Sequence, residues 1–254
     1  MPLKPKASPG THARDRSILL DAGRYRLIDL KSGSSRHAEG KNIGHVLKKL
    51  ADGNLLLAHP RSLPGGASYF TPTAAGCRVV NVTEEWSRPL QGAALDTAIA
   101  IRTWCLISGV GRTRLSHSEM REIFGHAAPP ENIPHVLSLC DAKGAKEQIP
   151  HPCILRVYSP GANVSSKQAA NKIKELAEKS KLGALSEWLV DRDYGILCLV
   201  DLELKRSEIQ ALLRILLPGN PTLILVHLAP KAASFSKFLK RGKDQARRVR
   251  GDKS

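Results

Sequence analysis

The hydrophobic positions early in the chain change from helical spacing to short apolar runs. Apolar residues from 43 to 50 recur at helical spacing, so they predict one buried face of a short helix. The segments LLLAH (55–59) and SYFT (68–71) predict two strands around the turn PRSLPGG. The apolar members of the helix face are Ile43, Val46, Leu47 and Leu50. The pattern therefore predicts a helix followed by a β-hairpin.

The residues before this helix predict two further helices and a loop. Residues 15–22 and 24–30 have helical patterns separated by Gly23. The stretch KSGSSRHAEG (31–40) is predicted to be a polar loop because of its composition. Residues 1–13 are rich in Pro, Lys, Ser and Gly, and they are predicted to form a flexible basic arm.

The C-terminal part of the chain alternates amphipathic helices with apolar strands. Helices are predicted at 165–181 and at 207–217, where Ser207 and Gln210 form a capping box. The predicted strands are 154–158, 187–190, 196–202 and 222–228. The second and third strands would form a hairpin around DRDYG. From residue 165 onward the order is α-β-β-α-β, which favours an α/β domain with a small mixed sheet.

The middle of the chain is less regular. Residues 93–108 carry a broad apolar stripe that indicates a core helix, with a contact in a homodimer or a joint between two domains as alternatives. A short helix is predicted at 118–124. The fold class predicted for the whole chain is α+β.

The charge balance indicates an anionic partner. The chain has 39 Lys and Arg against 23 Asp and Glu, which gives a net charge of +16. Such a positive field attracts phosphate backbones and anionic lipid alike. Aromatic residues make up only 4% of the chain, which argues against a single-strand binder that stacks bases on aromatic rings.

Basic residues are concentrated on one face of the helix that precedes the hairpin. A polar, basic helix beside a basic hairpin is the arrangement through which winged helix-turn-helix modules contact DNA. Double-stranded DNA is therefore the predicted partner. The residues predicted to contact it are Arg36, His37, Lys41, Asn42, His45, Lys48, Lys49, His59 and Arg61, together with Arg247, Arg248 and Arg250 of the C-terminal tail.

Three segments of the N-terminal third resemble a known class of DNA-binding domain. RYRLIDL (24–30), VLKKLADGNLLL (46–57) and YFTPTAAG (69–76) are similar to the winged helix-turn-helix domain of plasmid replication-relaxation proteins and related mobile-element factors. The resemblance covers roughly residues 15–80. It implies DNA binding and a role in the replication control, maintenance or transcription of a plasmid or other mobile element. Because winged helices also contact proteins, an assembly factor is an alternative.

A second resemblance concerns an enzymatic alternative. Glu203-Leu204-Lys205, with Asp191 or Asp193 upstream, resembles the active site of PD-(D/E)xK nucleases, which implies a C-terminal domain of that type, active or degenerate. An α/β domain unrelated to nucleases is the alternative. In that family two carboxylates hold magnesium and the lysine assists the attacking water. A hairpin turning at Tyr194-Gly195 would place the carboxylates at opposite ends, too far apart to share one ion. No metal site and no cleavage are therefore predicted, and Glu203 and Lys205 would form a solvated strand end.

Cysteines and termini give expectations about cofactors and compartment. Five cysteines lack CxxC spacing, so buried free thiols in a reducing cytoplasm are predicted. No secretory signal or membrane span is predicted, and neither is any cofactor. The predicted organisation is an arm (1–13), a winged helix-turn-helix domain (14–90), a helical connector (91–152), an α/β domain (153–230) and a basic tail (231–254).

Overall fold

A computed structural model of the chain describes residues 13–37, 43–63, 66–107, 111–141, 150–182, 186, 189, 193–220 and 222–230. These residues combine eight α-helices with two β-sheets, which confirms the predicted mixture of helices and sheets. The chain divides into two compact units, Met1–Pro89 and Leu90–Ser254. Each unit is described by itself below. None of the described helices is long and apolar enough to span a bilayer.

The first unit has the order α-β-α-α-β-β-α. Its elements are α1 (Ala13–Tyr25), β1 (Ile28–Asp29), α2 (Leu30–His37), α3 (Gly44–Asp52), β2 (Leu56–Leu63), β3 (Ala67–Pro72) and α4 (Ala74–Val79), followed by a 3-10 turn at Glu84–Ser87. The three strands form one antiparallel sheet in the spatial order β1-β3-β2. The predicted helix and hairpin are thereby confirmed as α3 and β2–β3.

One hydrophobic core joins these elements. The apolar face predicted for α3 is buried, and it packs with residues of α1, β1 and β2. The buried members of the core are Ile18, Leu19, Ala22, Ile28, Ile43, Val46, Leu47, Leu50, Leu56 and Val80. Because a helix with one buried face must present the other to solvent, the core fixes which side chains of α3 are accessible.

The second helix lies where the sequence predicts a loop. Residues 24–25 belong to the end of α1, so a separate helix at 24–30 is wrong. The loop predicted at 31–40 is wrong for residues 31–37, which belong to α2. Residues 38–40 lie outside the described part of the chain.

Short polar and small residues in α2 take part in capping the start of the helix and allow it to pack closely against Ile43. The Asp29 carboxylate accepts a hydrogen bond from the Ser32 backbone N–H at 2.9 Å, which satisfies a donor at the start of the helix. A Cβ placed on Gly33 would lie 2.7 Å from the end of the Ile43 side chain. Composition typical of a loop therefore permits α2 to pack closely against the residue that precedes α3.

The segment Thr73–Gly76 connects the hairpin to α4. The Thr73 hydroxyl accepts a hydrogen bond from the Gly76 N–H at 3.0 Å and donates one to the Asn54 carbonyl at 2.6 Å. A Cβ on Gly76 would overlap the Leu55 carbonyl oxygen. Threonine and glycine at these two positions therefore join the start of α4 to the loop between α3 and β2.

The second unit contains a five-stranded mixed sheet with helices packed on it. Its elements are α5 (Gly92–Ile107), β4 (Thr113–Arg114), α6 (His117–Phe124), β5 (His135–Asp141), β6 (Pro150–Tyr158), α7 (Ser166–Lys181), β7 (Tyr194–Val200), α8 (Glu203–Leu216) and β8 (Leu223–Leu228), with a 3-10 turn at Gly125–Ala127. The strands lie in the order β4-β5-β6-β7-β8. Pairs from β4 to β6 are antiparallel, whereas β6, β7 and β8 are parallel. The stretch predicted as a helical connector (91–152) contributes β4, β5 and the start of β6.

Parallel strands replace the predicted C-terminal hairpin. Tyr194 and Gly195 lie inside β7 rather than in a turn, and the order from β6 onward is β-α-β-α-β. The strand predicted at 187–190 falls mostly outside the described residues, and Leu189 within it is helical. Gly195 is required where β7 passes β8, because a Cβ there would lie 2.9 Å from the Leu223 side chain. Side chains of α7, β7, α8 and β8 share one core.

Helix starts in this unit follow capping chemistry. Ser116 with Glu119 and Ser165 with Gln168 form capping boxes at α6 and α7, which confirms both predicted helices. The box predicted at Ser207 is wrong, because α8 already begins at Glu203.

The prediction that the cysteines are free thiols is wrong for Cys153. Cys77, Cys105 and Cys198 are free and buried, but Cys153 is disulfide-bonded. Its strand, β6, pairs antiparallel with β5. Such pairing brings together residues far apart in sequence, which spacing along the chain does not show.

His135 and Tyr194 form a buried polar pair beneath this sheet. The His135 Nε2 atom lies 3.0 Å from the Tyr194 hydroxyl, and its Nδ1 lies 3.0 Å from the Ile133 carbonyl. The carbonyl can only accept, so Nδ1 donates and Nε2 accepts from the tyrosine hydroxyl. Burial lowers the pKa of His135 to about 4 and raises the pKa of Tyr194 to about 12.

Gly76→Ala should destabilise the first unit by about 1–3 kcal/mol, because the added methyl group meets backbone rather than a movable side chain. Thr73→Ala should cost about 1 kcal/mol through loss of the cap, and Thr73→Ser should retain most of it. Denaturant unfolding of each variant measures these costs. Gly111→Ala is the matched control, since a Cβ there meets nothing within 4 Å. Equal stability of the two glycine variants would contradict the packing described.

Acid should weaken the second unit through His135. Its folded pKa of about 4 lies below the ordinary histidine pKa of 6.5, so the unfolded chain takes up a proton first as pH falls. This contribution to stability is complete above pH 6.5 and is lost between 6.5 and 4, amounting to about 3 kcal/mol. Unfolding free energies measured across this range should fall steeply for the parent and less steeply for His135→Gln. The exposed His126 supplies the control His126→Gln, and identical slopes for parent and His135→Gln would refute the assignment.

Candidate nucleic-acid interface

The outer face of α3 presents three of the residues predicted to contact DNA. His45, Lys48 and Lys49 are exposed, opposite the buried face of the same helix. Lys41 and Asn42, which were predicted to belong to this face, lie outside the described residues.

The start of α1 adds a cation that the sequence analysis did not identify. The Arg14 Nη2 atom lies 3.3 Å from His45 Nε2. Arg14 is exposed and precedes the predicted first helix by one residue, so its position on a functional face could not be read from helical periodicity. Arg14, His45, Lys48 and Lys49 together are named the basic face below.

The two lysines of the basic face differ in their surroundings. Lys49 Nζ lies 2.9 Å from the Asp15 carboxylate, whose side chain is only 3% exposed, while the Lys49 side chain is 57% exposed. Lys49 therefore neutralises a buried carboxylate and still reaches solvent. Lys48 forms no ion pair with a described residue, so its full charge is available to a ligand.

Two residues of α2 that were predicted to contact DNA, Arg36 and His37, form ion pairs with α1. Arg36 Nε and His37 Nε2 lie 3.2 and 3.3 Å from the two carboxylate oxygens of Asp21. The His37 side chain is 7% exposed, and its Nδ1 lies 3.3 Å from the Ser17 hydroxyl. A side chain so enclosed cannot reach a ligand, so the predicted DNA contact of His37 is replaced by a structural role. Arg36 pairs with Asp21, but its side chain is 41% exposed, so it can still contact a ligand.

In the hairpin, the His59 side chain contacts residues of the neighbouring strand β3. Its ring stacks on Tyr69 with centroids 4.4 Å apart, and its Nε2 lies 2.9 Å from the Thr71 hydroxyl. Burial lowers the pKa of His59, which favours the neutral imidazole. A neutral ring adds no attraction for phosphate through its charge.

Arg61 is the exposed cation of the hairpin. The pairing register of β2 and β3 shifts between His59 and Leu63, which marks a bulge. Arg61 lies in this bulge with φ of 50°, and its backbone N–H donates to the Ser68 hydroxyl at 3.1 Å. The bulge therefore projects Arg61 at the distal part of the hairpin. Arg247, Arg248 and Arg250 lie outside the described residues.

The residues predicted for the nuclease alternative are not brought together into one site. Asp193 precedes β7 and Glu203 follows it, so the seven residues of the strand separate them. Asp191 lies outside the described residues. The predicted solvated strand end is wrong: Glu203 and Lys205 lie in the first turn of α8. Lys205 is buried with its Nζ 3.5 Å from the Gly161 carbonyl, and Glu203 pairs with Arg206.

No metal-binding group is seen in the part of the chain that the structure describes. There, no three His, Cys, Asp or Glu side chains lie close enough together to hold an ion.

Comparison with known proteins gives no relative against which this surface can be judged. The chain matches no protein-family model, no curated protein and no solved structure.

Proposed function

We propose that the first unit is a winged helix-turn-helix module and that the protein binds double-stranded DNA through α3 and the β2–β3 hairpin. The observation that carries the proposal is the element order α1-β1-α2-α3-β2-β3 with a β1-β3-β2 sheet. In helix-turn-helix proteins the second helix of the motif enters the major groove, and α3 follows α2 in that position.

The side chains of α3 support this orientation. Its inner face is buried, and its outer face carries His45, Lys48 and Lys49 beside Arg14. The major groove of B-DNA, about 12 Å wide, admits one α-helix. Lysine and arginine at the rim of such a helix bind phosphates, which supplies affinity without sequence preference.

The hairpin would contribute a second contact. Arg61 is exposed in the bulge, whereas His59 is held against Tyr69. A single arginine at a projecting hairpin suits a phosphate contact beside the helix. The resemblance of residues 15–80 to plasmid replication-relaxation proteins extends the proposal to the DNA of a plasmid or other mobile element.

Lys48→Ala should weaken binding to duplexes of every sequence. Because each phosphate contact releases counterions, its loss should reduce the slope of log affinity against log salt by about 0.9. Arg14→Ala should have a similar effect, and the double variant about twice that. Fluorescence anisotropy of the full chain with a labelled duplex, at several salt concentrations, measures these slopes.

Lys167→Ala is the matched control for this experiment, because Lys167 is also an exposed helical lysine but belongs to the second unit. Its loss removes the same charge from the chain. Equal slopes for Lys48→Ala and Lys167→Ala, both different from the parent, would mean that net charge alone drives binding. Lys49 is unsuitable as the test position, since its removal leaves the buried Asp15 carboxylate without this cation.

Arg61→Ala should also reduce the salt slope by about 0.9 while leaving the preferred sequence unchanged, because a phosphate contact carries no base information. Selection of bound duplexes from a random pool gives the preference, and anisotropy gives the slope. Arg214→Ala, which removes an exposed arginine of α8, is the control. An unchanged slope would exclude the hairpin from the interface.

A further inference from the structure

A cluster of basic and aromatic side chains lies in the second unit, whereas the basic face belongs to the first unit. Trp104 of α5 is 4% exposed. The Arg112 guanidinium carbon lies 4.1 Å from the centre of its ring, and the His227 ring of β8 lies 6.1 Å from it at an interplanar angle of 66°. Arg112 and His227 therefore meet at the same indole, and both remain partly exposed.

Two polar atoms of this cluster have no hydrogen-bond partner among the described residues. The Trp104 Nε1 and Arg112 Nε atoms are buried and form no hydrogen bond. The Arg112 side chain has one long hydrogen bond, from Nη1 to the Trp104 carbonyl at 3.5 Å. Buried donors without acceptors are rare in folded proteins and cost stability, so they indicate a place for an acceptor from outside.

The charges around His227 are positive. Burial lowers the pKa of His227, and the nearby cations Arg112 and Arg206 lower it further. Burial also lowers the pKa of Arg112, with the Cys105 thiol opposing it, and no described carboxylate pairs with Arg112. Glu203 pairs with Arg206, so its carboxylate balances the charge of Arg206 and not that of Arg112. Arg112 is thus a cation in a partly buried site, and none of the carboxylates in the described part of the chain forms an ion pair with it.

The position of the cluster in the fold suits an anionic ligand. His227 lies one residue before the end of β8, and Arg206 lies in the first turns of α8, directly after β7. In open sheets of parallel strands, ligands bind beyond the carboxyl ends of the strands. The start of a helix there adds partial positive charge.

We propose that Arg112 and His227, which meet at the Trp104 indole, form an oxyanion site for the phosphoryl group of a small ligand, either a nucleotide or inorganic phosphate, with the charge of Arg206 on α8 as a further attraction. Guanidinium groups bind phosphate oxygens through paired N–H donors, and a neutral imidazole supplies one further N–H. A phosphate oxygen would satisfy the Arg112 Nε and balance its charge. This site is independent of duplex binding by the first unit.

The test is the pKa of the His227 imidazole, followed by NMR in the full chain with and without inorganic phosphate, AMP or ADP at millimolar concentrations. Binding should raise this pKa, by about one unit if phosphate prefers the protonated ring tenfold. Arg112→Gln should abolish the rise and Arg206→Gln should reduce it. Arg214→Gln, an exposed arginine at the other end of α8, should keep it.

The outcomes separate the ligands and the two proposals. A rise with phosphate and nucleotides alike assigns the site to the phosphoryl group itself, and a rise with nucleotides alone assigns it to a nucleotide. No rise with any of them, a rise retained in both Arg112→Gln and Arg206→Gln, or a rise with duplex DNA only would overturn the proposal. Arg112→Gln should leave duplex affinity within twofold of the parent, whereas Lys48→Ala should leave the His227 response unchanged.

Discussion

The burial of one face of α3 is the constraint on which the rest of the first unit depends. Val46, Leu47 and Leu50 pack into the core that α1 and the sheet share, so His45, Lys48 and Lys49 must face outward. Burying apolar side chains yields about 1.5–3 kcal/mol each, far more than an exposed charge contributes. The apolar positions therefore determine where the charges point.

Electrostatics refine this arrangement without creating it. Asp15 and Asp21 of α1 are almost fully buried, and they bind Lys49 on one side and Arg36 with His37 on the other. A buried carboxylate must be paired, and the partners of these two carboxylates belong to α2 and α3. The ion pairs therefore connect α1, which also carries Arg14, to both helices. Part of the positive charge near α3 thus stabilises the unit, and the remainder stays available to an anion.

The helix–hairpin part of the fold could be predicted from sequence because its apolar spacing is regular and local. The second helix could not be predicted, because serine and glycine are typical of loops. Ser32 donates to the Asp29 carboxylate and Gly33 packs closely against Ile43, and both contacts are visible only in the folded structure. The parallel pairing of β7 with β6 and β8 was likewise hidden, because pairing partners distant along the chain leave no local pattern. The sequence pattern placed basic residues on α3. Only the tertiary contacts show that His37 is enclosed while Lys48 is exposed, and that Arg14 lies beside His45 on the basic face.

The most direct test of duplex binding by α3 is lysine acetylation footprinting of the full chain with and without saturating DNA. Mass spectrometry would report the reactivity of Lys48 against that of Lys167, two exposed helical lysines in different units. Because a bound phosphate shields the ammonium group, the account predicts that DNA protects Lys48 and leaves Lys167 reactive. Saturated DNA binding with unchanged reactivity of Lys48 would contradict it.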